Sequence, residues 1–409
     1  MNSAPLGIAA GNIDGFEAGG GVLAGDSVGG STLAGSGYQS LVRRLHRIQD
    51  VSYSFNITRQ DVNQFGELAA IDRVVLESPT VSLDFSYILA NLENEHMLGF
   101  HVEKSGVAAG IAPLTALSGF LTKVTDERNY FIQTVPEGDD ALGDAENVTH
   151  NDKVTSAGRT SVIGIGNGFM TSYTQEASVG DFPTASVSIE GLNMAFDIGT
   201  SGNHIPAVNP EDGTKLTTVE YALPSGVSHT TGIGVNDKLS ALRPGDITFD
   251  VTRAGGASIN GTLTGLMLSD AKIQSYSLSF DLARDPLQKL GSRYAFSREI
   301  TFPVTVTCTV DANVGDLYSG NLADVIDDDS NINYDIAISL RGPLASSDSL
   351  PVARFDLRNC KIDSQEYSSD VGSNKSVSLT FSSQIGGTKQ TTKGLFMSGI
   401  RGAGNVADW

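Results

Sequence analysis

Residues 48–66 read IQDVSYSFNITRQDVNQFG, and residues 273–291 read IQSYSLSFDLARDPLQKLG. The offset, 273 − 48 = 225, holds without a gap across the whole stretch. It matches Ile48 with Ile273, Gln49 with Gln274, Ser52 with Ser277, Ser54 with Ser279, Phe55 with Phe280, Arg59 with Arg284 and Gly66 with Gly291. Farther on, Ala70 matches Ala295 and Arg73 matches Arg298 at the same spacing. A segment carried twice predicts a fold carried twice, so an internal duplication is expected, with 48–89 overlaying 273–310. Phe55 and Phe280 share register with Val51/Tyr276 and Ile57/Leu282, and are expected at equivalent buried sites.

Both copies continue with apolar residues at every second position. The first has Val81, Leu83, Phe85, Tyr87 and Leu89; the second has Val304, Val306, Cys308 and Val310, with Ser or Thr at most places between. Period two is the pattern of half-buried strands. Each run starts beside a proline, Pro79 or Pro303, where a missing N–H is tolerated. A fainter echo sets FPTASVSIEG (182–191) against LPVARFDLRN (350–359). The proline separations, 183 − 79 = 104 and 351 − 303 = 48, then give the first copy about 56 extra residues, placed at about 99–171. The expected organisation is a Gly-rich N-terminal arm over 1–37, a first β domain over 38–232 carrying that insertion, and a second over 233–409. The arm is expected to be ordered only by neighbours. Short helices are expected over 38–47, 91–98 and about 321–326, the latter two one beside each sheet. The polar stretch 136–158 reads as a loop, 219–223 as a short strand, and 242–251 as a turn leading into the first strand of the second copy. The fold class is mainly β: two tandem antiparallel β-sandwich or barrel domains, each with a small flanking helix.

A chain of 409 residues has the length of two or three domains. Its 46 glycines, set among many Ser, Thr and Val, suit short strands and frequent turns. The net charge is −20, which disfavours tight nucleic-acid binding, since that needs Lys and Arg on phosphates. It also disfavours docking on anionic membranes. No run approaches the eighteen apolar residues of a membrane helix, and the N-terminus lacks a basic, apolar secretory leader; synthesis in the cytoplasm is expected. Cys308 and Cys360 are too few for a disulfide framework and read as buried free thiols.

Chemistry-bearing patterns are weak. Gly25-Asp-Ser27-Val-Gly29 fits a nucleophile-elbow string, but it sits in the Gly-rich arm without the strand and helix that expose a catalytic serine. Gly164-Ile-Gly166-Asn-Gly168 lacks the third glycine of a dinucleotide loop, since position 169 is Phe, and reads as a turn. Asp327, Asp329 and Asn331 open like a calcium loop, yet Ile332 and Ile338 stand where Gly and Glu are needed. His96 and His101 lack the i, i+4 spacing of helical zinc ligands. No catalytic, metal or cofactor site is expected.

The segment 47–100, with its strand, Arg-containing connector, second strand and helix, resembles bacteriophage tail tube proteins. The stretch IGNGFMTSYTQEASVGDFPTASVSIEGLN (165–193) resembles phage virion structural proteins. This resemblance implies a small β-sandwich or barrel, assembled in rings of six domains that stack into a tube for genome delivery. Where two tube domains are fused in one subunit, it implies trimers with pseudo-sixfold symmetry, located in the virion tail. It implies other tail proteins as partners and transient, non-specific passage of phage DNA. The repeated connectors 60–70 and 285–295 are expected at ring-to-ring contacts, with Gln60, Asp61, Gln64, Gly66, Asp285, Gln288 and Gly291 as candidate stacking positions. The alternatives are another virion structural protein (neck, tail terminator or capsid-associated) and a secreted carbohydrate-binding or enzymatic β-protein. A conduit must not hold its cargo, so an inward-facing sheet with net negative charge is expected, with Arg and Lys at subunit contacts.

Overall fold

The computed structural model describes residues 7–12, 39–76, 78–104, 114–121, 127–134, 161–198, 203–210, 213–216, 220–222, 242, 245, 247–253, 272–291, 294–314, 333–341, 351–369 and 374–399. The first half contains strands β1 (Gly7–Asn12), β2 (Gln39–Arg44), β3 (Ile48–Asn56), β4 (Arg59–Val62), β5 (Asp72–Val75) and β6 (Thr80–Ile88). Helix α1 (Glu93–Leu98), strand β7 (Val102–Lys104) and helix α2 (Ser118–Leu121) follow. Then come β8 (Arg128–Thr134), β9 (Ser161–Ser178), β10 (Thr184–Gly191), β11 (Asn193–Ile198), β12 (Asn203–His204) and β13 (Glu220–Ala222). The second half contains β14 (Ile247–Arg253), β15 (Lys272–Asp281), β16 (Arg284–Leu287), β17 (Ser297–Ile300), β18 (Val304–Asn313), β19 (Tyr334–Leu340), β20 (Ala353–Ser368), β21 (Ser376–Ile385) and β22 (Gly394–Gly399).

The molecule is mainly β, in large antiparallel sheets. The largest ladder runs β3–β6–β10–β9–β15–β18–β21–β20. Period-two alternation makes it two-faced: Val81, Leu83, Phe85 and Tyr87 of β6 and Val304, Val306, Cys308 and Val310 of β18 all point into one continuous core. β9 and β20 are long because each also enters a second sheet. Residues 161–166 of β9 pair with β8 and β11, and residues 353–358 of β20 pair with β19 and β22. The second sheets lie across the core from the first, with Tyr130 of β8 against Phe85 (6.5 Å between ring centres) and Tyr334 of β19 against Phe381 (5.8 Å). Asn167 and Asn359 have φ of 55° and 58°, a left-handed conformation that Asn adopts more readily than most residues. They mark where each long strand bends between its two sheets.

The pairing in one half recurs in the other at constant offsets. β3–β6 and β15–β18 share register at 225, with a bulge at Gln49 and at Gln274. Both glutamines donate Nε2 to local carbonyls in the same way, to Arg47 and Ile48 in one case and to Lys272 and Ile273 in the other. β9–β10 and β20–β21 correspond at 376 − 184 = 192, with a bulge again at the same place. β8 and β19 correspond at 336 − 130 = 206, and their pairing with the long strands shifts at the same point. At that point Asn167 N–H donates to Asn129 Oδ1 (3.3 Å), as Asn359 N–H does to Asp335 Oδ1 (2.8 Å).

These registers correct several expectations. The strand corresponding to 184–191 is β21, since β10 lies beside β6 as β21 lies beside β18; 350–359 falls in and just before β20 instead. The first half is therefore longer by 225 − 192 = 33 residues between these strands, and 99–171 is not an appendage, because it supplies β8 and much of β9. In the arm, residues 7–12 form β1, paired with β8 and β2; 13–38 lie outside the described residues. Residues 39–44 form strand β2, not a helix. β7 joins β22 in parallel, so the halves exchange a strand across the expected boundary. α1 matches the helix expected at 91–98, while 321–326, the 136–158 loop, Ser27 and the Asp327–Asn331 residues lie outside the described residues. β13 and β14 form where strands were expected. The glycines at 164, 166 and 168 sit within β9, not in a turn. A Cβ on Gly166 would lie 2.4 Å from the Pro206 carbonyl oxygen, so small residues are needed for that close approach.

α1 delivers a carboxyl group into the core. Asn94 pins the helix by accepting from His46 N–H (2.9 Å) and donating to His46 O (2.8 Å). One turn is thereby fixed so that Glu95 faces inward, where Tyr87 and Tyr173 both donate to its Oε1 (2.6 and 3.0 Å). Burial raises its pKa to about 7, against the lowering effect of the two phenols. A raised carboxyl pKa contributes stability that is full below the unfolded value and is lost as pH climbs through the folded one. Glu95→Gln keeps the acceptor and cannot ionise. Denaturant unfolding across a pH series should show the wild type losing stability relative to E95Q between about 4.5 and 7, leaving E95Q the more stable at pH 8. Equal slopes would show that Glu95 does not titrate in that window.

Candidate functional site

The face of the large sheet opposite the core is a wall of hydroxyls and carboxylates. Ser52, Ser82, Ser188, Thr309 and Thr380 share it through the cross-strand registers. Asp50, Asp84, Glu176, Asp281, Asp311 and Glu366 project from the same face and are exposed. Glu190, also on it, is ion-paired with Arg298. Lys272 begins β15, and Lys361 stands just past the bend of β20, where its pairing with β21 starts. Among the described residues the face is therefore acidic, with its cations at the periphery.

Its two outermost strands are open. β3 bonds to β6 on one side, and residues 361–368 of β20 bond to β21 on one side; among the described residues no strand occupies the other side of either. Edge strands are usually blunted by charge or proline. β3 instead exposes Tyr53 and Phe55, with Ile57 exposed just beyond it, and β20 exposes Tyr367. Phe55 was expected to be buried like Phe280, yet it is 59% exposed where Phe280 is 2% exposed. The cause is the neighbour: β15 has β9 on its second side, whereas among the described residues β3 has no strand on its second side.

Two hairpins complete the arrangement. Strands alternate in direction, so β3 and β15, four places apart, run the same way, and β4–β5 and β16–β17 leave the sheet at the same end. The turns match: Ile71 N–H donates to Val62 O (2.8 Å) and Phe296 N–H to Leu287 O (2.9 Å). Gly66 and Gly291 adopt φ of 97° and 90°, which glycine alone accepts without strain. The candidate positions Gln60, Asp61, Gln64, Gly66, Asp285, Gln288 and Gly291 all lie exposed on these hairpins. Apolar residues there had been overlooked. Val62/Leu287, Phe65/Leu290 and Ile71/Phe296 fall at matched positions and are exposed in both copies, with Phe65 and Leu290 fully so. An apolar residue at the same place in two polar turns was a readable signal. The hairpins differ in anchorage. Arg284 donates to Met170 O (3.1 Å) and lies over the Phe169 ring (5.1 Å); in the first hairpin Arg73 pairs with Asp61 (2.6 Å).

No group of three or more metal-binding side chains occurs among the described residues, and Cys308 and Cys360 are buried free thiols. Since Phe65 and Leu290 touch solvent, Phe65→Ser with Leu290→Ser should change unfolding free energy by no more than about 0.5 kcal/mol. A loss of stability of about 2 kcal/mol or more would show that the tips pack on their own chain. No protein-family model matches this chain, and no curated protein matches it in sequence.

Proposed function

We propose that the chain is an internally duplicated structural subunit that assembles laterally into rings and stacks into a tube, as the tail tube of a bacteriophage does. The reading is of a virion component and not an enzyme. The observation that carries it is the large sheet itself, with one face in the core, the other acidic and hydroxylated, and, among the described residues, both edges open. The registers at offsets of 225, 192 and 206 support two copies of one tube-type domain.

An open sheet with different strands at its two ends makes head-to-tail contacts, which close into rings when the rotation allows. Three chains would give six quasi-equivalent halves. The apolar-tipped hairpins, both at one end of the sheet, suit contacts between stacked rings, since exposed apolar patches mark association surfaces. The acidic face suits a lumen: a wall of carboxylates repels the phosphate backbone within about a Debye length, some 8 Å at physiological salt, and leaves passing DNA unbound.

Negative-stain microscopy should show annular particles or tubes containing six repeating lobes per layer. Particles that stay monomeric at every concentration would end the reading. The lumen assignment has its own test, in assemblies of the Asp84→Lys, Glu176→Lys, Asp311→Lys variant. These should retain DNA, with affinity falling on the order of 10³-fold between 50 and 200 mM salt, where wild-type assemblies retain none. Equal retention by both would place that face outside the bore.

A further inference from the structure

We infer that residues 364–368 of β20 add to β3 of a neighbouring copy as an antiparallel strand, with Tyr367 opposite Tyr53 and Ser368 opposite Ser52. The inference rests on the lateral assembly proposed above and specifies its contact. Its template lies inside the chain. The two halves are joined where β9 pairs with β15, placing Glu176 opposite Ser277, Gln175 opposite Leu278 and Tyr173 opposite Phe280. β20 occupies the place of β9 at an offset of 192, and β3 the place of β15 at 225. Moving both strands by those offsets turns the internal ladder into one between copies. Leu278/Gln175 becomes Tyr53/Tyr367, Ser277/Glu176 becomes Ser52/Ser368, and Phe280/Tyr173 becomes Phe55/Gln365.

The residues suit that register. On one face an aromatic pair and an aromatic beside an amide meet; on the other, Ser52 meets Ser368 and Ser54 meets Glu366, with no like charges opposed. Two anchors to backbone carbonyls carry over, one from a backbone N–H and one from an arginine present in both repeats. Leu282 N–H donates to Thr171 O (2.7 Å) and Arg284 Nε to Met170 O (3.1 Å), so Ile57 N–H and Arg59 would donate to the carbonyls of Asp363 and Ile362 in the neighbour. The register also accounts for the one discrepancy between the halves. Phe55 and Tyr53 are exposed because the strand that shields their counterparts, Phe280 and Leu278, is here supplied by another molecule.

Disulfide trapping tests the register. Chains carrying Tyr53→Cys and chains carrying Tyr367→Cys should each remain monomeric on oxidation, while an equimolar mixture shifts to a species of twice the mass. The double variant should give a ladder that ends at the closed ring. Ser52→Cys with Ser368→Cys, on the opposite face, should behave likewise and guards against a defect peculiar to the tyrosine sites. The native thiols are buried and do not compete. Dimers from either single variant alone would indicate a like-to-like contact and overturn the inference. So would trapping of Tyr53→Cys with Glu366→Cys in place of the predicted pair, or no trapping in protein that sediments as an oligomer. Wild-type protein that sediments only as a monomer would instead remove the assembly reading itself, and this inference with it.

Discussion

The ladder between β9 and β15, from Ser178 opposite Ser275 to Ser172 opposite Asp281, is the contact on which the rest of the molecule depends. It converts two four-stranded blocks into one sheet and removes two of four edges. Its core face is filled by aromatic rings: Tyr173 stacks on Phe280 (5.5 Å), and Phe100, just after α1, meets both edge-on (5.1 and 5.9 Å). Gln175 donates Nε2 to Tyr276 OH across the same junction (2.7 Å). Because β9 must serve β10 on one side and β15 on the other, and β8 and β11 beyond its bend, it needs its unusual length. The small residues at 164–168 and the left-handed Asn167 let one strand do this.

Once the sheet is continuous, its two faces divide the chemistry. The core face takes the apolar half of each alternation. The other takes Ser and Thr, which suit a solvated pleated surface, and carboxylates separated by hydroxyls. Arg284 and Arg298 meet this face only at its hairpin end. Arg284 lies over Phe169, and Arg298 pairs with Glu190 at the root of the second hairpin. The net charge of −20 is thus partly organised: acidic residues dominate a broad face, and cations clamp the connectors.

The sequence made the strands legible and left their neighbours obscure. Alternation at 81–89 and 304–310 located β6 and β18, and the ungapped repeat located β3, β15 and both hairpins, because local spacing determines which way a side chain points. Spacing does not say which strand lies alongside. Phe55 and Phe280 are identical in register, yet they differ in burial through a partner some hundred residues distant. The same blindness misaligned 182–191 with 350–359, two similar-looking strands that occupy different places. Residues 39–44 resembled a helix through Leu41, Val42 and their polar neighbours, but tertiary pairing with β1 and β13 makes them a strand. Glu95 gave no signal, since an acidic residue in a short helix ordinarily faces water; only the lock between Asn94 and His46 turns it inward.

The two ends of the sheet and its middle show one geometry with two chemistries, and on the proposed assembly the difference follows from when each contact would form. The β9–β15 junction closes as the chain folds and is never exposed afterwards, so it carries Tyr173, Phe280 and Leu278 at no risk of aggregation. The outer strands must spend time in water before meeting anything. At the places matching Tyr173 and Gln175, β20 carries Gln365 and Tyr367, with Glu366 between them. These side chains tolerate solvent and still offer amide and phenol contacts to an incoming strand. The apolar share falls on β3, whose Phe55 and Tyr53 are flanked by Ser52, Ser54 and Asn56. Placing apolar residues on one edge and polar residues on the other favours unlike edges over like ones. On that assembly it would set a direction for growth without a charge pair to define it, and a strand edge that is a liability in a monomer would become a surface with a polarity.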